Sequence, residues 1–302
     1  MTQQRRAYAY ALSAVLLWST IPTAFKLALG RVDFVKLLFY SSAFSCLVLG
    51  IILAARGRLV SCLASSRADY ARSLGLGLLN PFLYYLVVLK AYELLPAQMA
   101  QPLNYTWAVA LALLSVPLLG QRLGWRGVAA GLVSYSGVWV ISTRGDVLGL
   151  ELADPLGVAL AVGSAFIWAL YWILNTKDRR DPGERLFLNF LMSLPFVLVA
   201  CLLLSDLRLD TPGALLATAY VGVVEMGVTF VLWLTALRLS RSAARISYLI
   251  FIAPFLSLVF VRLVLGESIL PSTFAGLFLI IAGLVIQRMG NRRAGGERAA
   301  AA

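Results

Sequence analysis

The chain has 302 residues, of which 61% are hydrophobic and only 13% are charged, whereas about a quarter of an average soluble chain is charged. This composition extends over the whole length and excludes an ordinary soluble protein. The formal net charge of +12 does not require nucleic acid, because basic residues of membrane proteins collect in cytoplasmic loops. The sequence therefore predicts an all-α membrane protein that contacts the lipid bilayer and binds no nucleic acid.

Ten apolar segments, taken in chain order, are long enough to cross the bilayer, which requires about 20 mostly apolar residues. The predicted spans are 7–29, 34–54, 73–93, 97–119, 125–142, 155–176, 186–204, 213–237, 243–264 and 270–287. The first apolar run has no small-residue cleavage site after it, so we expect it to be retained as a helix rather than removed as a signal peptide. The longest predicted loop is 55–72, and no soluble domain is expected.

The basic residues predict an orientation. With both termini placed in the cytoplasm, 19 Lys and Arg residues lie on the inner side of the ten spans and 7 lie on the outer side. An excess of basic residues in short inner loops is typical of membrane proteins. We therefore expect both termini to be cytoplasmic, with residues 288–302 as a basic cytoplasmic tail.

The two halves of the chain resemble each other at an offset of 145 to 150 residues. The segment "LLWSTIPTAFK" (16–26) matches "FIWALYWILNTK" (166–177), and "LLGQRLGWRGVAAGLVSYSGVWV" (118–140) matches "LVLGESILPSTFAGLFLIIAGLVI" (263–286). Each half contains five spans, and an odd number inverts the second copy in the membrane. The sequence thus predicts two inverted five-helix repeats, 1–145 and 155–287, which are typical of secondary transporters.

These features resemble a known family. Five plus five helices, a tryptophan in the first and sixth spans, and the run Leu265–Gly266–Glu267 after a ninth span that contains Pro254 resemble the drug/metabolite transporter superfamily, EamA type. The first half departs from this pattern, with "LLGQ" in place of the "LGE" run. Within the superfamily, the aromatic-rich spans most resemble the aromatic amino-acid exporter branch.

The resemblance implies a secondary transporter of the inner membrane that exports small organic molecules by alternating access, with aromatic or large apolar amino acids as the expected substrates. A multidrug or other metabolite exporter of the same fold is the alternative. The chain has no G-x-x-x-x-G-K-[ST] loop, so we expect transport to run on gradients, either facilitated or coupled to protons. A monomer is the expected state.

The candidate substrate-binding residues are polar and aromatic side chains inside the spans, which usually face the bundle interior or a water-filled cavity. Their spacing of three, four or seven residues places them in stripes on single helix faces. They are Trp18, Asn80, Tyr84, Gln101, Tyr105, Trp107, Trp168, Tyr171, Glu225 and Tyr248. Ring surfaces beside hydrogen-bonding groups suit a ligand with an apolar ring and a small polar head. Packing is the alternative role for any single ring.

Glu225 is an isolated acid in the apolar run "AYVGVVEMGVTFVLWL" (219–234). A carboxylate at the centre of the bilayer costs about 2.5–3.5 kcal/mol on insertion scales, so a partner or a wet cavity is expected beside it. At an offset of 145, Asn80 aligns with Glu225, and both are predicted to face one cavity near the membrane midplane. Three roles remain open: binding a substrate ammonium, carrying a coupling proton, or pairing with a lysine such as Lys26.

Other function classes have little support in the residues. The chain has no histidine, the side chain that most often serves as metal ligand and general base. Its three cysteines form no C-x-x-C pair, so neither a disulfide nor a metal site is predicted. A membrane-embedded enzyme would need a nucleophile, an acid and a base close together, and a channel has no need of inverted halves. We therefore predict no catalytic residues, no metal site and no cofactor.

Overall fold

A computed structural model describes residues 3–120, 125–149, 151–240, 246 and 248–300, without the side chains of 126, 176, 248 and 287–300. All regular elements in these ranges are helical. The α-helices are α1 (Gln3–Leu29), α2 (Phe34–Ala55), α3 (Leu59–Leu63), α4 (Arg67–Gly77), α5 (Tyr84–Leu94), α6 (Ala97–Asn104), α7 (Trp107–Leu119), α8 (Trp125–Ser142), α9 (Pro155–Thr176), α10 (Pro182–Leu204), α11 (Pro212–Tyr220), α12 (Thr229–Leu239), α13 (Ile252–Phe260) and α14 (Pro271–Ala300). Three π-helical segments, Leu78–Leu83, Val221–Val228 and Val261–Leu265, and the 3₁₀ turn Tyr248–Phe251 join some of them.

Among the described residues, seven helical stretches are long and apolar enough to cross a membrane. They are Gln3–Leu29, Phe34–Ala55, Arg67–Leu94, Ala97–Leu119, Pro155–Asn175, Pro182–Leu204 and Pro212–Leu239. Three shorter apolar helices, Gly127–Ser142, Leu249–Leu265 and Pro271–Ile286, fall within the remaining predicted spans. The first residues of the predicted span 243–264 lie outside the described residues. The structure is therefore that of an all-helical protein with several membrane-crossing helices.

Three helices begin at least four residues before their predicted spans, at Gln3, Arg67 and Pro182, and capping side chains explain the last two. The helix of the third span begins at Arg67 instead of 73. It is capped by Ser66, whose hydroxyl accepts a hydrogen bond from the Asp69 amide at 3.2 Å. The seventh begins at Pro182 instead of 186, where the Asp181 carboxylate caps the helix and proline occupies its first position. The predicted loop 55–72 accordingly also contains α3.

The described chain forms two compact units, and each combines segments from both halves of the sequence. The first unit comprises Met1–Glu93 and Asp178–Gly266, and the second comprises Leu94–Lys177 and Glu267–Ala302. These units are not the predicted repeats 1–145 and 155–287, whose assignment stays a prediction.

In the first unit, α2 runs parallel to the long helix that contains α11 and α12, and small residues line their contact. A side chain at Gly222 would collide with the backbone oxygen of Ser41, so only glycine permits this approach. The Ser41 hydroxyl donates to the carbonyl of Thr218 at 3.0 Å, and the Ser45 hydroxyl donates to that of Met226 at 2.9 Å. The second bond satisfies a carbonyl inside the π-helical segment and so holds that segment against α2.

In the second unit, the carboxylate of Glu267 caps α6. Its two oxygens accept hydrogen bonds from the backbone amides of Ala97 at 3.0 Å and Gln98 at 3.2 Å. A negative charge is favourable there because the helix dipole is positive at the N-terminus. The Gln98 side chain donates to the Ser268 carbonyl and accepts from the Leu270 amide, each at 2.9 Å. The acid of the Leu265–Gly266–Glu267 run therefore anchors α6 to the start of α14.

An ion-pair network joins the ends of α2, α10 and α12 in the first unit. Asp181 Oδ2 lies 2.7 Å from Arg238 Nη2 and 3.3 Å from Arg58 Nη1, and Arg58 Nε lies 2.9 Å from Glu184 Oε1. Burial acts to raise the pKa of Asp181, but the hydrogen bond and charge of Arg238 together with hydrogen bonds from the Gly183 and Glu184 amides outweigh it. The pKa of Asp181 is therefore below its usual value, and the ionised carboxylate stabilises the fold.

We expect Asp181→Ala to lower the free energy of unfolding at pH 7 by about 1–2 kcal/mol, because it removes a helix cap and the partner of two arginines. Since the folded-state pKa lies below the unfolded value of about 3.9, this stabilisation is complete above that value and is lost as the pH falls through the folded pKa. Thermal unfolding in detergent should therefore separate parent and variant at pH 7, and the difference should narrow towards pH 3. Glu151→Ala, which removes an exposed carboxylate, should unfold like the parent. An equal difference at both pH values would contradict the lowered pKa.

Candidate substrate-binding residues

The ten predicted site residues divide equally between the two compact units. The first unit contains Trp18, Asn80, Tyr84, Glu225 and Tyr248, and the second contains Gln101, Tyr105, Trp107, Trp168 and Tyr171. The side chain of Tyr248 lies outside the described part of the structure. The contacts below are those within each unit.

The helix between Arg67 and Leu94 is interrupted at Asn80, whose backbone is extended with φ −150° and ψ 118°. The sequence predicts this interruption, because Pro81 lacks an amide hydrogen and disfavours the α conformation of the residue before it. Asn80 is 1% exposed, and its side-chain oxygen has no hydrogen-bond partner in the described structure. The interruption thus leaves a buried acceptor inside a membrane-crossing helix.

Glu225 lies in the π-helical segment Val221–Val228, and π-helical turns occur frequently at functional sites. Its Oε1 accepts a hydrogen bond from the Tyr85 hydroxyl at 3.2 Å, and the Trp18 side chain also lies near the carboxylate. The other oxygen, Oε2, is buried, and no described group donates a hydrogen bond to it. The same is true of the Thr229 hydroxyl oxygen, four residues further along the helix. Glu225 therefore has one carboxylate oxygen in use and one available.

Lys26 was one predicted partner of Glu225. Its ammonium group donates to the backbone carbonyl of Tyr92 at 2.9 Å, which ties α1 to α5. This bond gives the lysine a structural role at the end of its helix.

The structure places Tyr85, which the sequence analysis did not select, against Glu225. Asn80 and Tyr84, four residues apart, share a helix face only if the helix is continuous, but the extended backbone at Asn80 ends the regular helical geometry there. Tyr84 instead packs edge-to-face on Tyr85, with ring centroids 4.9 Å apart. Pro81 was the available signal, because a break in the helix makes spacings across it uninformative about helix faces.

Trp18, which lies near the Glu225 carboxylate, forms a cluster with two further aromatic rings in the first unit. The Trp18 ring lies 5.4 Å from the Trp233 ring and 5.8 Å from the Phe230 ring, measured between centroids. Phe230 and Trp233 lie on α12, directly after the segment that carries Glu225, and the sequence analysis did not select them. The cluster therefore presents apolar ring surface close to a carboxylate.

A second aromatic cluster lies on α9 in the second unit. Trp168 stacks on Tyr171 with centroids 5.6 Å apart and an interplanar angle of 30°, and Trp172 meets Trp168 edge-on at 5.9 Å. The Trp172 ring nitrogen is buried and donates no hydrogen bond to any described group. Trp172, which is not among the predicted site residues, therefore belongs to this cluster together with Trp168 and Tyr171.

The remaining predicted residues surround the junction of α6 and α7. Gln101 is buried, whereas Tyr105 and Trp107 are half-buried. Asn104 donates to the Ser164 hydroxyl at 2.8 Å and links this junction to α9. Gln101 and the two rings thus lie on a segment that packs on the helix of the second aromatic cluster.

The chemistry of these groups favours a ligand with N–H donors and an apolar ring. Among the described residues, no group of three His, Cys, Asp or Glu side chains could hold a metal ion. The buried atoms without partners around the two irregular helix segments include two acceptors, Glu225 Oε2 and Asn80 Oδ1, and the hydroxyl Thr229 Oγ1, which can accept or donate. Burying a polar atom without a hydrogen bond is costly, so a donor on a ligand would relieve that cost. The neighbouring rings would bind its apolar part.

Comparison with known proteins gives the family. The model of the EamA-like transporter family matches residues 5–143 and again residues 155–288. The aromatic amino acid exporter YddG of Ancylobacter novellus is 26% identical over 226 residues, which cover 73% of this chain and 76% of that protein. The uncharacterized inner membrane transporter YhbE of Escherichia coli K12 is 23% identical over 308 aligned positions, which cover 95% of this chain and 92% of that protein. An uncharacterized transporter of Clostridium kluyveri is 26% identical over 186 residues, covering 59% of this chain and 58% of that protein.

A solved crystal structure has the same fold, with a TM-score of 0.68 at 24% identity over 95% of this chain and 98% of that one. The family matches together cover far more than half of the sequence. The chain is therefore a multi-pass membrane transporter and not an enzyme, and it belongs to the EamA-like transporter family.

Proposed function

We propose that this transporter exports aromatic or large apolar amino acids across the inner membrane, by alternating access around a cavity near the membrane midplane. The observation that carries the substrate assignment is the buried Glu225 carboxylate, with one oxygen available, next to the rings of Trp18, Phe230 and Trp233. An amino acid of this class has both complementary parts, an ammonium group and an apolar side chain. The names of YddG, an aromatic amino acid exporter, and YhbE, an inner membrane transporter, support the substrate and the membrane.

We further propose ten membrane spans in two inverted repeats, 1–145 and 155–287. Two successive matches to one family model support a duplicated chain. The glycines that align across the repeat, Gly120 and Gly266, have left-handed backbones with φ of 63° and 70° and end corresponding helices. Only glycine adopts this conformation without steric cost, so the two copies end these helices in the same way.

The packing of α8 on α14 in the second unit also supports the repeat. A side chain at Gly137 would collide with the backbone oxygen of Gly276, and one at Gly283 would collide with that of Ala130. At an offset of 146 residues, Gly137 aligns with Gly283 and Ala130 aligns with Gly276. The second contact is therefore the equivalent of the first in the other copy of the repeat. A two-fold relation between the copies predicts paired contacts of this kind.

The proposed orientation has both termini in the cytoplasm and predicts a simple labelling pattern. Leu148→Cys, at a side chain that is 89% exposed, should react with an impermeant thiol reagent added outside intact cells. Val60→Cys, at a side chain that is 81% exposed, should react only after lysis. The parent protein is the control, because its three cysteines are buried. The reverse pattern would contradict the orientation.

For the site, we propose that Glu225 binds the substrate ammonium, and that the other nine predicted residues line the transport path. A charge-assisted hydrogen bond to a buried carboxylate is stronger than a neutral one, and ring surfaces on α1, α7, α9 and α12 suit an aromatic side chain. The protein is proposed to act as a monomer, without a cofactor, and as a facilitator rather than a proton-coupled carrier.

Transport by the purified protein in liposomes tests the proposal. Liposomes loaded with unlabelled phenylalanine should exchange it for labelled phenylalanine. Unlabelled tryptophan and leucine added outside should compete and lower the uptake of the label. Labelled glutamate and arginine should remain at the level of protein-free liposomes, because the single acid pairs with the substrate ammonium and the ring-lined path offers no second partner for a charged side chain. Exchange of all amino acids alike, or of none, would overturn the substrate class. Exchange of cationic drugs alone would favour the multidrug alternative.

A further inference from the structure

We propose that Tyr85 is a positioning residue, which orients the Glu225 carboxylate so that its second oxygen receives the substrate ammonium. This inference rests on the proposed function. It assigns a role to a tyrosine that the spacing of polar residues in the sequence did not reveal.

The Tyr85 side chain is well fixed. It is 1% exposed, and the Tyr84 ring packs against it edge-on. Its hydroxyl donates to Glu225 Oε1 at 3.2 Å. A tyrosine has only two side-chain torsions, so a buried ring holds its hydroxyl at a defined position with little further loss of entropy.

The backbone that carries Glu225 is held by α2. The next residue, Met226, accepts a hydrogen bond from the Ser45 hydroxyl through its carbonyl at 2.9 Å. Gly227 faces the side chain of Val48 so closely that a side chain there would collide with it. With the backbone fixed by α2 and one oxygen fixed by Tyr85, rotation of the carboxylate is restricted.

The two carboxylate oxygens of Glu225 therefore have different roles: Oε1 accepts from Tyr85, and Oε2 is left for the ligand. An ionised carboxylate has about four lone-pair positions, and Tyr85 uses one of them on Oε1. No described group donates to Oε2 or to the Thr229 hydroxyl oxygen four residues later. A ligand with more than one N–H donor, such as a primary ammonium, matches acceptors that are already oriented. Orientation before binding reduces the entropy lost when the ligand binds.

The test is a double-mutant cycle that measures labelled phenylalanine exchange in liposomes with Tyr85→Phe, Glu225→Gln and the double variant. Tyr85→Phe keeps the ring and removes only the hydroxyl, so we expect the KM to rise about three- to tenfold while the maximal rate stays within twofold. In the Glu225→Gln background, the same change should alter the KM by less than twofold. Tyr70→Phe, which also removes only a hydroxyl and whose hydrogen bond to the Leu63 carbonyl at 2.8 Å does not involve any candidate site residue, is the matched control and should behave like the parent.

The outcomes separate the two proposals. A raised KM for Glu225→Gln with a parental KM for Tyr85→Phe overturns the positioning role and leaves the proposed function intact. An equal effect of Tyr85→Phe in both backgrounds also overturns it, because a merely structural role would not depend on Glu225. A parental KM for Glu225→Gln overturns both proposals. The phenylalanine-induced rise in unfolding temperature in detergent gives the same comparison for any variant that does not reconstitute.

Discussion

Replacing Glu225 with glutamine should raise the KM for phenylalanine about five- to tenfold. The change exchanges a charge-assisted hydrogen bond to the substrate ammonium for a neutral one, which is about half as strong. Net contributions of about 1.5–3 and 0.5–1.5 kcal/mol for the two kinds of bond differ by about 1–1.5 kcal/mol, which corresponds to that factor. Concentration series of phenylalanine exchange in liposomes measure it.

The other two roles of Glu225 predict different results for the same variant. A carboxylate that carries a coupling proton would make Glu225→Gln lose its stimulation by an imposed pH gradient while it retained exchange. A carboxylate with a purely structural role would lower the unfolding temperature and leave transport near normal. Glu93→Gln, which neutralises an acid paired with Lys90 near the end of α5, is the control and should transport like the parent. Parental exchange by Glu225→Gln across the whole series would refute the ammonium role.

Most of the helical architecture could be predicted from hydrophobicity, because a bilayer imposes a length and an apolar composition on each spanning helix. The errors lay at helix ends, where side chains matter more than apolar content. Ser66 and Asp181 cap two helices that begin several residues before the apolar run. Both caps are of the kinds that a sequence can reveal, a serine followed three residues later by Asp69 and an aspartate followed by Pro182.

The candidate site was less predictable, because its geometry depends on irregular backbone. The π-helical segment around Glu225 contains no proline, and it forms where Gly222 and Ser45 let α2 approach and satisfy its carbonyls. Such a contact between distant segments leaves no local signal. The position of Tyr85 could not be predicted either, because the break at Asn80 changes which face of α5 points at Glu225.

A motif resemblance did not reveal what its residues do. The run Leu265–Gly266–Glu267 identified the family pattern, but its spacing gave no role to the acid. The structure shows that Glu267 caps α6, more than 160 positions earlier in the chain. A cap supplied from a distant segment is not detectable by the local rules that can reveal caps such as Ser66 and Asp181.

Removing ring surface near Glu225 should impair transport more than removing ring surface elsewhere. We expect Trp18→Ala to raise the KM for phenylalanine at least tenfold, because the indole lies beside the carboxylate and contacts the rings of Phe230 and Trp233. Losing about 80 Å² of apolar contact with the ligand costs about 2 kcal/mol, which corresponds to a factor of about 30. Trp168→Ala tests the second cluster in the same assay.

The control for size and hydrophobicity is Trp125→Ala, which removes a tryptophan that is 75% exposed and should leave exchange unchanged. Trp18→Phe keeps an aromatic ring and should lie between the parent and Trp18→Ala. Unfolding temperatures in detergent identify any variant whose loss comes from the fold, because a packing ring would lower stability and transport together. If Trp18→Ala and Trp168→Ala both remain folded and exchange phenylalanine with the parental KM, the rings only pack, and the substrate does not use them.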